Sequence, residues 1–457
     1  MPGLRALAAL LAAACLAGCS SLRPWINDPL PDNPPPRSVI AASASRDPSI
    51  LVAVTLSGGG ARAAAFGLGV LEELHRTRFE WNGRETDLLD ATDVISGVSG
   101  GSILAAYYAA FGAARLESFE NVFLRQNFQN SLIWQALRPG NLHDLTSPWY
   151  GRSHLLARRL DEIYEGKTYG DIERDPRTPQ LVIVATDMSL GTPFEFTQDQ
   201  FELICSDLHT VPLSFAVAAS SAVPILLSPM TLKNHAQECR DRGIVPRLAM
   251  RTGANYRARM FRMQANSYLD AQARPFIHLV DGGVADNLAV RRLLDRALLG
   301  GGLRESFEEV GIPPGSVRKL VVISVNSARD PANNVDQDDR VPGVRAVADT
   351  LLFGAGARAT LETQEFLLDT ARQWREDLRR RSEAGADAFA PDAQIHVVQV
   401  NLRDAAEGEL RLRLMQTPTA FSISDDEVTR LIAAGRSALR RSADFQALRQ
   451  ALGVKDD

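Results

Sequence analysis

Residues 93–112 read Asp-Val-Ile-Ser-Gly-Val-Ser-Gly-Gly-Ser-Ile-Leu-Ala-Ala-Tyr-Tyr-Ala-Ala-Phe-Gly. A short apolar run, Val94 and Ile95, ends in Gly97-Val98-Ser99-Gly100-Gly101, and a small-residue apolar segment of helical period follows. The stretch therefore predicts a strand, a sharp turn and a helix. Glycines two positions either side of Ser99 let a serine sit in a strained turn whose neighbours come close without side chains, which a nucleophile elbow needs. Ser99 is thus a candidate nucleophile; the same pattern taken alone is also that of a plain Gly/Ser loop.

Upstream, Ile50-Leu51-Val52-Ala53-Val54-Thr55-Leu56 is a continuous apolar run, as in a strand buried on both faces. Ser57-Gly58-Gly59-Gly60-Ala61-Arg62 follows at once, then a helix-patterned segment from Ala63 to Leu74. Three glycines between a buried strand and a helix can aim backbone N–H groups at an anion. A relaxed dinucleotide fingerprint, Gly58-x-Gly60-x-x-Ala63, is weak by itself. The glycine turn at 57–62 does not run into a Gly-Lys-Ser/Thr, as a P-loop there would need. An oxyanion is the third candidate, and a turn that merely packs closely is the fourth.

Downstream, Pro275-Phe276-Ile277-His278-Leu279-Val280 reads as another buried strand ending in Asp281-Gly282-Gly283. An aspartate at the carboxyl end of a strand points into the crevice where open α/β sheets place their sites. With an exposed serine and a glycine cradle nearby, Asp281 reads as a base; alone it would read as a turn or capping residue.

These blocks together resemble the patatin-like family of lipid acyl hydrolases. They are Gly58-Gly59-Gly60-Ala61-Arg62, Gly97-Val98-Ser99-Gly100-Gly101, Ala219-Ser220-Ser221-Ala222-Val223-Pro224 and Asp281-Gly282-Gly283, with Leu181–Asp187 and Gly191 in support. The resemblance implies a three-layer α/β/α fold with a mostly parallel central sheet flanked by helices. It also implies a Ser99–Asp281 dyad without histidine, an oxyanion hole on Gly58, Gly59 and Gly60, a phospholipid substrate and no cofactor. Ala63 departs from the glycine the family commonly has after its basic residue. Arg62 would either orient a phosphate head or pair with a surface carboxylate. The rival enzyme reading is a Ser-His-Asp triad in the order serine, acid, histidine. Of seven histidines only His396 comes late enough, and it lies in an apparent strand.

The chain has 457 residues, 45% of them hydrophobic and 23% charged, with a formal net charge of −5, a globular composition that excludes a whole-protein nucleic-acid binder. Residues 1–19 carry Arg5 and then an apolar run too short to span a bilayer. Its end, Leu16-Ala17-Gly18-Cys19, resembles the lipobox of bacterial lipoproteins, which implies a lipid-modified Cys19. With Ser20 following, the resemblance implies a cell-envelope protein at the outer membrane, facing the periplasm. Residues 20–49 are rich in proline and read as a semi-extended linker.

Residues 50–330 form the expected catalytic α/β domain, and 331–457 a C-terminal α/β extension packed on the same body. Between them, 113–170 looks helical, with Phe128, Trp134, Trp149 and Tyr150 suited either to an acyl groove and bilayer contact or to a core. Residues 230–275 form an insertion holding Lys233 and eight arginines against Glu238, Asp241 and Asp270. It is either a face for anionic headgroups or a solvated loop. Cys205 and Cys239, the cysteines left after the leader, are expected to pair in an oxidising compartment. The acidic loop with Asp330, Asp336, Asp338 and Asp339 lacks the Ca²⁺-loop pattern, so no metal is expected. The rival function class is a lipid-binding or envelope-assembly lipoprotein with weak or lost catalysis.

Overall fold

Strand β1 (Ile50–Leu56) is buried along its whole length, and its alternate side chains serve two different cores. Ile50, Val52, Val54 and Leu56 enter one apolar cluster, while Leu51 enters a second on the opposite face. The period of two in a strand covered on both sides produces this division. The protein is described from a computed structural model covering residues 20–32, 47–246, 256–299, 302–309, 311–329, 339–343, 355–380 and 387–454. Cys19 and the leader lie outside the described residues, as do Asp330, Asp336 and Asp338.

The remaining strands are β2 (Arg78–Trp81), β3 (Arg84–Asp87), β4 (Thr92–Gly97), β5 (Gln180–Asp187), β6 (Thr192–Phe196), β7 (Met230–Lys233), β8 (Phe276–Val280), β9 (Val317–Asn326) and β10 (Phe389–Asn401). β2 and β3 form a separate hairpin. Five strands run parallel in the order β10-β9-β1-β4-β5. β6, β7 and β8 pair antiparallel. The helices used below are α1 (Gly60–Arg76), α2 (Gly100–Phe111), α3 (Phe128–Ala136), α4 (Arg152–Tyr164), α5 (Leu213–Ser220), α6 (Tyr256–Leu269), α7 (Arg291–Leu299), α8 (Ala355–Arg380) and α9 (Asp425–Arg441). Residues of α1, α2, α5 and α9 belong to the first cluster, those of α7 and α8 to the second. The result is the three-layer α/β/α arrangement with a mostly parallel sheet.

The direction of β8, antiparallel to β5, shapes the site. Ile183 of β5 pairs with both β4 and β6, and Thr186 pairs with both β6 and β8. A residue has only two edges, so β4 and β8 share the edge of β5 opposite β6. β8 takes over that edge where β4 stops and runs head-on toward it. Consequently Asp281, just past β8, arrives above the end of β4, where Ser99 lies. β8 is also half exposed rather than fully buried.

The C-terminal part is integral to this body. β10 extends the main sheet, and α9 crosses α1 so closely that a Cβ on Gly69 would stand 2.0 Å from the Ile432 carbonyl, and one on Gly435 2.2 Å from that of Phe66. Only residues without side chains permit that approach. Arg440 adds two bonds of 2.6 Å to the Glu73 carboxylate on α1.

Residues 20–32 are not a free linker, in contrast to the sequence reading. The Asn27 side chain accepts from Lys233 N at 2.7 Å and donates to Lys233 O at 2.9 Å, pairing with a strand edge as a backbone would. Leu30 donates its N–H to Cys205 O, and Trp25 packs edge-on against Phe215. Composition argued for an unpacked chain because the proline count carries no sign of these specific contacts. Cys205 and Cys239 form a disulfide beside Leu30.

Candidate active site

Ser99 holds φ 49° and ψ −121° between β4 and α2, a conformation that costs a residue with a side chain on the order of 1–3 kcal/mol. The turn is tied on both sides. Val98 donates its N–H to Leu56 O at 3.1 Å. Ser99 N–H donates to Ser220 Oγ at 2.9 Å, and that hydroxyl donates to Val184 O at 2.6 Å. The Ala219–Pro224 block therefore acts through Ser220 as the support of the elbow.

Asp281 is fixed by its N–H to Ala222 O at 3.0 Å and by Thr186 Oγ1 donating to its carbonyl at 2.8 Å. Its Oδ1 accepts from Gly283 N–H at 2.8 Å, and Asp281 lines one cavity with Ser99. Burial, the largest influence, pushes the carboxyl up to about 6 against the lowering effects of Gly283 and Ser99. Asp286, five positions on, is raised to about 6 by burial as well. It accepts from the amides of Leu288 and Arg291 and is a local capping group.

The glycine turn meets the same point, with one correction. Gly58 donates its N–H to Asn287 O at 3.1 Å, so that amide is already used and does not serve as an oxyanion donor here. The following residues adopt φ 142° at Gly59 and 62° at Gly60, and among the described residues no acceptor takes either N–H. Asn287 gave no sign in the sequence because its part is played by a backbone carbonyl.

Arg62 is buried, lines the cavity at Ser99 and pairs with no carboxylate among the described residues. Its Nε donates to Ser327 O at 3.1 Å, and Nη1 to Thr417 O at 2.7 Å and Thr419 Oγ1 at 3.1 Å. Burial, then the neighbouring Arg329 charge, lowers it to about 9, so it stays protonated at neutral pH. Arg62 thereby fastens the 417–419 segment to the glycine turn.

Two cavities meet at Ser99. One holds the charged and polar groups of Arg62, Asp281, Asn287 and Arg329 among apolar walls that include Val223, Pro224 and Val284. The other is an apolar groove of about 540 Å³ formed by Leu132, Ile133, Leu155, Val223, Leu226, Leu227 and Phe421. The groove is lined by aliphatic residues rather than the aromatics singled out from the sequence. Phe128 and Tyr150 are core, while Trp134 and Trp149 are exposed outside it.

No residue of 230–275 lines either cavity. That span contributes β7, α6 and most of the approach to β8. Several of its arginines are internal ties, Arg274 to Asp187 at 2.6 Å, Arg240 to Leu269 O and Arg242 to Leu30 O. Arg247 and Arg251 lie outside the described residues. The headgroup face expected there finds no support at the site.

None of the seven histidines lines either cavity. His396 sits on β10, three strands from β4, and His278 bonds Thr231. A triad is therefore not assembled around Ser99. Elsewhere, His75, Asp87 and Asp90 bring three ligand atoms within 4.8 Å of one another, but Asp87 already accepts from the Leu89 and Asp90 amides.

A family model described as patatin-like phospholipase matches residues 54–294. Human GIVD cytosolic phospholipase A2 aligns structurally with a TM-score of 0.43 and 13% identity, over 91% of this chain and 62% of that one, so the chain spans about three-fifths of it. VipD from Legionella pneumophila aligns at 0.30 and 11% identity, over 96% of this chain and 73% of its own. Full-length ExoU of Pseudomonas aeruginosa with SpcU aligns at 0.23 and 21% identity, over 39% of each chain. No curated protein sequence matches the chain. The family match spans more than half of the 457 residues and runs from β1 through Ser99 and Asp281 into α7: the chain belongs to the patatin-like phospholipase family of lipid hydrolases.

Proposed function

We propose that this protein is a membrane-tethered carboxylic ester hydrolase that cleaves phospholipid acyl esters through Ser99, Asp281 and an acyl-enzyme. A serine hydroxyl attacks poorly unless a base takes its proton, and Asp281 lines the same cavity as Ser99. Ser99 Oγ adds to the ester carbonyl carbon as its proton passes to Asp281. The amides of Gly59 and Gly60 receive the oxyanion; one such donor contributes about 3 kcal/mol in hydrolases. Asp281 returns the proton to the departing alcohol, leaving acyl-Ser99. It then takes a proton from water as the water oxygen attacks the acyl carbon, and gives that proton to Ser99 Oγ as the C–O bond breaks, freeing the fatty acid and restoring the serine.

The observation that carries this reading is that Ser99, in its strained turn, shares a cavity with the buried Asp281 carboxylate and also opens onto an apolar groove. An acyl chain suits the groove, and a phosphate head suits the pocket beside Arg329. Lipid on Cys19 would hold the protein at the cell envelope, at the outer membrane's periplasmic face. The test is fatty-acid release from phospholipid vesicles by wild type, Ser99→Ala and Asp281→Asn. Release by wild type alone supports the reading; equal release by Ser99→Ala overturns it, and no release by any of the three favours the lipid-binding alternative.

A further inference from the structure

The apolar groove opens onto a surface that is itself apolar. Ile133 and Leu226 line the groove yet are 51% and 56% exposed, which places them at its mouth. Leu137, four positions beyond Ile133 and three beyond Trp134, neighbours both at the end of α3. Trp134 and Leu137 are 70% and 55% exposed, outside the groove. Leu142, in the next short helix, is 48% exposed, and Ile225 beside Leu226 is 66% exposed. Ile225 also holds φ 73°, rare for a β-branched residue, so its apolar side chain is kept outward at a cost.

The docked N-terminal segment reaches the same region. Ser20 donates its N–H to Thr146 Oγ1 at 2.8 Å, and Ser147 Oγ donates to Leu22 O at 2.7 Å, one helical turn past Leu142. Arg23 covers the ring of Trp149 at 3.7 Å. Residue 20 is therefore held close to the apolar surface by specific bonds.

We propose that this face, centred on Trp134, Leu137 and Leu142, is where the protein docks on a lipid bilayer, with the docked segment from Ser20 beside it. The proposal rests on the lipid-hydrolase reading of the groove. A lipid chain passing from bilayer to Ser99 has to cross the groove mouth, and a bilayer seated there spares it any passage through water. A tryptophan at the rim suits the headgroup boundary, and an exposed apolar cluster contiguous with a groove marks an interaction surface. A tether packed along the body fixes this orientation, where a free linker would leave it random.

The test uses the full chain with Cys19→Ser, so that no anchor contributes. Sedimentation with zwitterionic phosphatidylcholine vesicles compares it with the added triple change Trp134→Ser, Leu137→Ser and Leu142→Ser. A control carries Leu410→Ser and Leu412→Ser, exposed residues on another helix. The triple variant should bind vesicles at least about tenfold more weakly, while the control binds as the parent does. Hydrolysis of a soluble short-chain ester and fluorophosphonate labelling should be unchanged in all three, showing an intact fold and site. Undiminished vesicle binding by the triple variant would overturn the proposal. So would a parent dimer in sedimentation velocity that the triple change dissolves, since a second copy would then cover the face. Absence of labelling in the parent would refute the catalytic reading, whereas vesicle binding alone decides the docking face.

Discussion

Ser99 shares a cavity wall with Asp281, a buried carboxyl whose pKa is pushed up to about 6. A base must be ionised to accept a proton, so kcat/KM for a soluble ester should fall about tenfold per pH unit below 6. Stability should move the other way. A carboxyl raised in the folded state stabilises the fold fully below its unfolded pKa, and that contribution is lost as pH rises through 6. Asp281→Asn should therefore be inactive, with its stability relative to wild type improving by up to about 3 kcal/mol between pH 4 and pH 8. Urea unfolding at several pH values checks this. Asp286 keeps its own pH dependence in both proteins.

Gly58 is occupied by Asn287, which assigns it a packing role. A Cβ at position 58 would meet Asn287 Oδ1 at 2.6 Å, while its next neighbours stand at 3.4 and 3.5 Å. Gly58→Ala should lose activity, and adding Asn287→Ala should restore most of it. A loss that the second change leaves untouched would contradict this packing role.

Arg62 and Arg329 stand together but do different work. Arg62→Lys breaks the bonds to Ser327 O and Thr417 O and should cost about 2–4 kcal/mol of stability, with faster amide exchange over 417–421. Among the described residues Arg329 has no bonded partner, and it faces the cavity that holds Asp281. Arg329→Gln should leave the melting temperature unchanged and raise KM for a phospholipid about fivefold, with little effect on a neutral ester.

The Cys205–Cys239 link closes a separation of 34 residues. Chain entropy puts its contribution near 3–4 kcal/mol. Replacing both cysteines by alanine should lower the urea midpoint accordingly and loosen residues 27–31, because Leu30 bonds Cys205. An unchanged midpoint would contradict this.

Much of the site was legible because its chemistry sits in local patterns. The runs at 50–60, 93–101 and 276–283 each announce strand, turn and reactive group, and the structure brings Ser99, Asp281, Gly59 and Gly60 to one point. What was hidden depends on pairing across the chain. The antiparallel approach of β8 follows from which edge of β5 is free, a property no single stretch carries. Asn287 and Ser220 act through a carbonyl and a second hydroxyl, both without signature. The 417–421 wall depends on α9 crossing α1 through Gly69 and Gly435, far apart in sequence. The prolines of 24–36 obscured Asn27, whose one side chain pairs with the edge of β7.

Intact-protein mass spectrometry after treatment with a fluorophosphonate tests the Ser99–Asp281 chemistry most directly. Wild type should gain one phosphonyl adduct, mapped to the peptide containing Ser99, with a labelling rate that falls below pH 6. Ser99→Ala should gain none. An adduct of equal stoichiometry on Ser99→Ala, or none on wild type at any pH, would contradict the assignment of Ser99 as the nucleophile.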